Sequence, residues 1–280
     1  MTSKVCYYYQ TFKGLDKLLA DPSIIDVIIV SSIHFGTNKD STPYIHLNNL
    51  APTDSAFDTV WKQTKELASN NTEILLMVGG AGGGYQEFFS SYSVCLAMLI
   101  DLIKTHNWIS GIDLDIEEEV SLDNIEMLIC DLHVEFGDNF IITMAPLSSS
   151  LMFDDQGMGG FSYKDLYRSC AGEFITRFHV QAYGEYSFKT FDAMVNNGYP
   201  AKKLILGMLS GQFNTETFKD ALTEVGKIKA KYNDAGGVFD WEYFDAPPND
   251  KDPGEWARLM TQRLKFDIVH RMLNYFKSFM

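Results

Sequence analysis

Residues Ser110-Gly111-Ile112-Asp113-Leu114-Asp115-Ile116-Glu117-Glu118-Glu119, written SGIDLDIEEE, decide how the chain is read. Three of the acids alternate with Ile112, Leu114 and Ile116, which is the period of a β-strand whose side chains point to opposite faces in turn. A strand over 111–117 puts Gly111, Asp113, Asp115 and Glu117 on one face and the three aliphatics on the other. The adjacent sequence offers no Lys or Arg to neutralise the acidic face. Unpaired buried carboxylates are costly, and like charges side by side force some of them to keep a proton. The bland alternatives are a solvated edge strand or structural ion pairs. A closed sheet has no edge and the cations are missing, so the row is read as a proton-handling site.

Similar short β-branched and aliphatic runs lie on either side, near 4–9, 25–33, 73–79, 139–145, 175–183, 203–209 and 236–241. Helical spacing fills the intervals. Phe57, Val60, Trp61, Thr64, Leu67 and Ala68 follow the i, i+3, i+4, i+7 rule behind a cap at Asp54. Phe218, Ala221, Leu222, Val225 and Ile228 do the same behind Thr215, and 90–104, 121–136 and 255–277 also read as helices. Eight strands, each followed by a helix or room for one, predict an α/β chain. The fold expected is one (β/α)₈ TIM barrel over 1–280 with no large inserted domain. A doubly wound sheet competes, but the Gly-rich turn of a nucleotide site does not follow the first strand. In a barrel the acids of 111–117 climb towards the C-terminal rim, where such folds keep their chemistry.

Composition narrows the function. Of the 280 residues 46% are hydrophobic, an ordinary globular share, and 14% are aromatic, a surplus often spent lining a groove. A net charge of −14 repels phosphate backbones and anionic lipid, so nucleic-acid and membrane partners are not expected. Cys6, Cys95, Cys130 and Cys170 stand far apart without a C-x-x-C pair and read as buried free thiols. The six histidines show neither H-x-x-x-H nor H-E-x-x-H, so no metal site is expected. No run of about 18 apolar residues marks a membrane span. The first residues, MTSKVCYYYQTF, show no basic segment leading into a long apolar run. That leaves location open between the cell interior and a trimmed secreted chain.

With the alternation established, SGIDLDIE resembles the D-G-x-D-x-D-x-E signature of glycoside hydrolase family 18, the chitinases and endo-β-N-acetylglucosaminidases. Its Asp-Ile-Glu ending is most similar to plant class III chitinases. Met77-Val78-Gly79-Gly80 resembles the family's S-x-G-G and Thr143-Met144-Ala145-Pro146 its T-M-A-P. Gln181-Ala182-Tyr183 resembles Q-x-Y and Trp241 the tryptophan of the last strand. Ser110, Met77 and Gly184 depart from the pattern, standing where the family has Asp, Ser and Asn or Asp.

The resemblance implies substrate-assisted retaining hydrolysis of β-1,4-linked N-acetylglucosamine, without metal or organic cofactor. Glu117 is then the general acid and base, Asp115 orients the acetamido group, and Asp113 shares a proton with Asp115. Tyr183 donates its hydroxyl to the acetamido oxygen, and Gln181, two residues earlier on the same face, touches the same sugar. Trp241 floors that sugar. Tyr7 lines the cleft from the first strand, Met144 packs beneath the sugar, and Gly79 and Gly80 let backbone pass close to it. Core packing is the plain alternative for Met144, Trp241 and Tyr183.

Other features are read more modestly. The run Gly79–Tyr85 fails the phosphate-loop spacing. Tyr85 is either a stacking ring or loop decoration, His34 a hydrogen-bonded rim residue, and Glu118 and Glu119 solvated loop acids. The expected function is chitin hydrolysis by an endo-acting monomer on an oligo- or polysaccharide of N-acetylglucosamine. Its rivals are cleavage of the chitobiose core of N-glycans and sugar binding without turnover.

Overall fold

The computed structural model describes residues 3–264. Among them are nine strands: β1 (Lys4–Tyr9), β2 (Val27–Thr37), β3 (Pro43–Leu47), β4 (Glu73–Gly79), β5 (Gly111–Asp115), β6 (Ile141–Met144), β7 (Ile175–Gln181), β8 (Leu204–Leu209) and β9 (Gly237–Trp241). Eight run parallel, each beside the next, and β1 pairs with both β2 and β9, which closes the sheet into a barrel. The (β/α)₈ reading is therefore correct. The remaining strand, β3, was not expected. It folds back antiparallel on the end of β2, from Ile33↔Leu47 to Thr37↔Pro43, and raises a hairpin wall above the rim.

Two apolar layers follow from the alternation. Cys6, Tyr8, Val27, Ile29, Leu75, Met77, Ile205 and Phe239 fill the barrel interior. Their neighbours Val5, Tyr7, Tyr9, Ile28, Leu76, Leu114, Met144 and Val238 belong to the larger layer between sheet and helices. The helix Leu122–Phe136 shows how that outer layer is built. Ser121 caps it by accepting from Asn124 N at 3.3 Å, and Ile125, Leu128, Ile129 and Leu132 form one buried stripe.

The other predicted caps need adjustment. Asp54 accepts from Ala56 N at the head of a 3₁₀ turn (Ser55–Phe57) that precedes the helix Asp58–Ala68. The helix Thr217–Lys231 is capped by Asn214, whose Oδ1 accepts from Glu216 N and Thr217 N, and not by Thr215. The expected helix over 90–104 is present as Tyr92–Thr105, preceded by a separate short helix, Tyr85–Ser90. Residues 254–264 are helical as expected, and the rest of the 255–277 expectation lies outside the described residues. All four cysteines are free, but Cys170 is exposed rather than buried.

At the barrel's lower end Glu73 receives Arg177 Nη2 at 2.6 Å and Lys4 Nζ at 2.8 Å, which neutralises the charges that face the floor. The interior is filled to contact density. A Cβ on Gly207 of β8 would lie 2.0 Å from the Phe239 ring and 2.5 Å from the Val180 carbonyl oxygen. Gly207→Ala is accordingly expected to cost about 3 kcal/mol through overpacking, read as a Tm lower by on the order of 6–10 °C. An unchanged Tm in thermal circular dichroism would show that the interior has slack.

Candidate active site

Strand β5 ends at Asp115, two residues short of the expected end, so Glu117 leaves the sheet at the upper rim. Tyr183 leaves β7 in the same way. Asp113 and Asp115 are almost wholly buried and Glu117 is half-buried. What holds them is a column of side chains from β7, whose inward residues are Arg177, His179, Gln181 and, just past the strand, Tyr183.

Asp113 is heavily solvated by protein. Its Oδ2 accepts from Tyr8 Oη at 2.7 Å, and its Oδ1 from Thr143 Oγ1 at 2.5 Å and His179 Nδ1 at 3.0 Å. Burial pushes the Asp113 carboxyl up, but the adjacent His179 and the three donors more than reverse this, leaving it below the usual carboxylate range. Among the described residues Asp115 has one such donor, Gln181 Nε2 at 3.0 Å from its Oδ1. Burial, the charge of Glu117 and the charge of Asp113 raise it well above the ordinary range. Burial also raises Glu117, against a weak hydrogen bond from the same Gln181 amide at 3.5 Å. A third acceptor, Ala145 O at 2.9 Å, fixes that amide. The aspartates are thus unequal: their surroundings favour the charged form of Asp113 and the protonated form of Asp115.

The turn after β4 frames Asp115 from the other side. Gly80 N donates to Asp115 O at 2.8 Å, with Gly79 at φ +91° and Gly80 at φ +87°. A Cβ on Gly79 would lie 2.2 Å from Asp115 O, so this glycine allows close contact with β5. A Cβ on Gly80 would meet Met77 Cε at 2.5 Å and Asp115 Oδ2 at 3.5 Å. With Trp241, Met77, Gln10, Ser32, His34 and Asn48, Gly80 lines a cleft of about 360 Å³. Trp241 closes β9 and leans on Tyr8 with ring centroids 5.1 Å apart. Glu242 accepts from Gln10 N at 2.8 Å and Thr11 N at 3.0 Å, which fixes the loop after β1 beside it.

Two expected site residues lie elsewhere. Tyr7 faces the helices, donates to Pro253 O and packs on Trp256 at 4.7 Å. Tyr8 takes the interior position. Met144 pairs with Leu114 and points outward with it, because Thr143 pairs with Asp113 and shares its face. The methionine at the cleft is Met77.

Smaller readings also change. Tyr85 is buried, donating to Val78 O at 2.9 Å, and is neither a stacking ring nor decoration. Glu118 accepts from Tyr85 N at the head of Tyr85–Ser90 instead of standing in solvent, while Glu119 is exposed. His34 is the hydrogen-bonded rim residue expected, bound to Ser32 Oγ and Gly83 O at 2.7 Å each. Tyr8, Thr143 and His179 were missed. The one signal available was the step of two back from Tyr183 and Gln181, which leads to His179. Among the described residues no three His, Cys, Asp or Glu side chains gather as a metal site, and no helix is long and apolar enough to cross a membrane.

Comparison with known proteins agrees with this fold. The sequence profile of glycosyl hydrolases family 18 matches residues 3–258. A fungal endo-β-N-acetylglucosaminidase from glycosyl hydrolase family 18 superposes with a TM-score of 0.81 at 27% identity, over 94% of this chain and 98% of that one. The chitinase ChiC from Aspergillus fumigatus follows at 0.79 and 25%, over 92% and 98%. A family 18 chitinase from Pseudoalteromonas aurantia, 17% identical with a TM-score of 0.71 over 93% and 100%, shares the fold. A comparison with curated protein sequences returns no match.

Proposed function

The chain belongs to glycosyl hydrolase family 18, and on that footing we propose that it cleaves the β-1,4 bond between N-acetylglucosamine residues, as in chitin, with retention. The observation that carries this reading is the Gln181 amide, which holds Asp115 and Glu117 together, with Asp115 beside Gly80, a residue that lines the cleft along with Trp241. In the proposed cycle the acetamido oxygen of the substrate attacks the anomeric carbon, so the protein need supply only one acid–base group. Glu117, whose protonated form burial favours, gives its proton to the leaving oxygen and then takes one from water.

Neutral Asp115 holds and orients the acetamido group, and it can take up negative charge as the cyclic cation forms. Burial, with the charge of Asp115 next, raises the Tyr183 hydroxyl well above its usual range, which suits it to donate towards the acetamido oxygen. A second reading has the same bond cut in the chitobiose core of N-linked glycans, and the likeness to the fungal endo-β-N-acetylglucosaminidase favours it.

Chitin oligosaccharides and a high-mannose glycopeptide, each incubated with the protein and followed by NMR, separate these readings. Fresh β-anomer from the oligosaccharides is expected. Release from the glycopeptide alone would favour the second reading, an α-anomer would overturn the mechanism, and binding without release would mark a sugar-binding barrel.

A further inference from the structure

We propose that His179 is a positioning residue that decides which of the two stacked aspartates carries the proton. The inference rests on the glycosidase reading for its consequence in catalysis, but the geometry stands apart from it. Four interior neighbours surround Asp113. On β4 its register partner is Met77, which has no N–H or O–H to offer. Tyr8 from β1, Thr143 from β6 and His179 from β7 supply the three donors. Asp115, one step higher on β5, has one donor and faces Glu117 across it. The tyrosines of this region, Tyr85, Tyr163 and Tyr183, lie in the field of both aspartates and carry no positive charge. The next cation below, Arg177, is taken by Glu73.

His179 itself is fully buried, between the edges of Tyr8 at 6.1 Å and Phe239 at 5.9 Å between ring centroids. Its Nε2 has no hydrogen-bond partner among the described residues, so the ring's only polar engagement is Nδ1 with Asp113. A carboxylate oxygen can only accept, so Nδ1 carries the hydrogen. That one-sided contact holds negative charge on the lower aspartate. That charge adds to burial and to the charge of Glu117 in favouring the protonated form of the upper aspartate, the form that meets substrate.

Two variants of the full chain test this. His179→Phe keeps the ring and removes the donor, while His179→Asn keeps an N–H near the Nδ1 position. Carboxyl ¹³C NMR of Asp-labelled protein should show Asp113 titrating at higher pH and Asp115 at lower pH in His179→Phe, with His179→Asn close to wild type. On substrate, kcat of His179→Phe should fall about tenfold, less than the 10²–10⁴ a general acid itself contributes, with KM little changed. The acid limb of kcat/KM should move up in pH, because Asp113 then holds its proton longer. Aspartate titrations that coincide in wild type and His179→Phe overturn the proposal, whatever happens to kcat. If wild type turns over no substrate yet the titrations exchange, the proton assignment stands and the glycosidase reading is what fails.

Discussion

Glu117→Gln is expected to lower kcat by on the order of 10³-fold while substrate affinity stays within a few-fold of wild type. The amide keeps the size of the acid and can still meet the Gln181 side chain, so the rim geometry survives. What it cannot do is release a proton to a leaving oxygen. The effect is large because the other two acids are unsuited to the task. Asp113 lies fully buried beneath Asp115 with its oxygens occupied by three donors, and in the proposed cycle Asp115 is engaged with the acetamido group.

The pH profile gives a second readout. Burial raises Glu117, so the protonated form persists above the ordinary carboxylate range, and the wild-type rate should fall as pH rises through that raised value. The variant's residual rate should lack this basic limb. Steady-state kinetics on a chitin oligosaccharide across pH decides the matter, and turnover retained within tenfold of wild type removes Glu117 from the role.

Asp115→Asn should push activity and stability in opposite directions. Asparagine can neither hold the transferable proton nor take up charge, so kcat is expected to fall about 10²-fold. The fold should gain. Asp115 is raised above its ordinary 3.8 by burial first, and by the charges of Glu117 and Asp113. A group whose folded value is raised contributes stability that is complete below its unfolded value and lost as pH rises through the folded one. At pH 7 and above the wild-type protein therefore bears the cost of ionising or retaining that buried acid, and the amide does not.

Asparagine can still accept from Gln181, so no donor is orphaned. A Tm gain of on the order of 2–4 °C at pH 7.5, equivalent to about 1 kcal/mol, should shrink as pH falls towards 4. Calorimetry at both pH values checks it. A lower Tm at pH 7.5 would mean that the Asp115 carboxylate is better solvated in the folded protein than its single donor allows.

Much of this was legible in the sequence, for definite reasons. Where a strand carries polar residues on one face and aliphatic residues on the other, the side-chain period of two reads out directly. Thus Asp113, Asp115 and Gln181 were placed inward correctly, and eight such runs separated by helical spacing predicted the closed barrel. Where a strand is apolar on both faces that contrast vanishes. Tyr7-Tyr8-Tyr9 gives no hint of which ring faces the interior, and Thr143-Met144 reads either way until the register with β5 is known. The hairpin strand β3 escaped notice because it is short and half-exposed, with Pro43 at its head and no run of β-branched residues.

What the sequence alone determined was the local alternation, and with it the fold class and the acids that face the barrel. The tertiary structure decided the distribution of protons. A carboxylate's ionisation depends on donors and charges within a few ångströms, and Tyr8, Thr143 and His179 reach Asp113 from strands 105, 30 and 66 residues away. Such neighbours exist only once the sheet has closed.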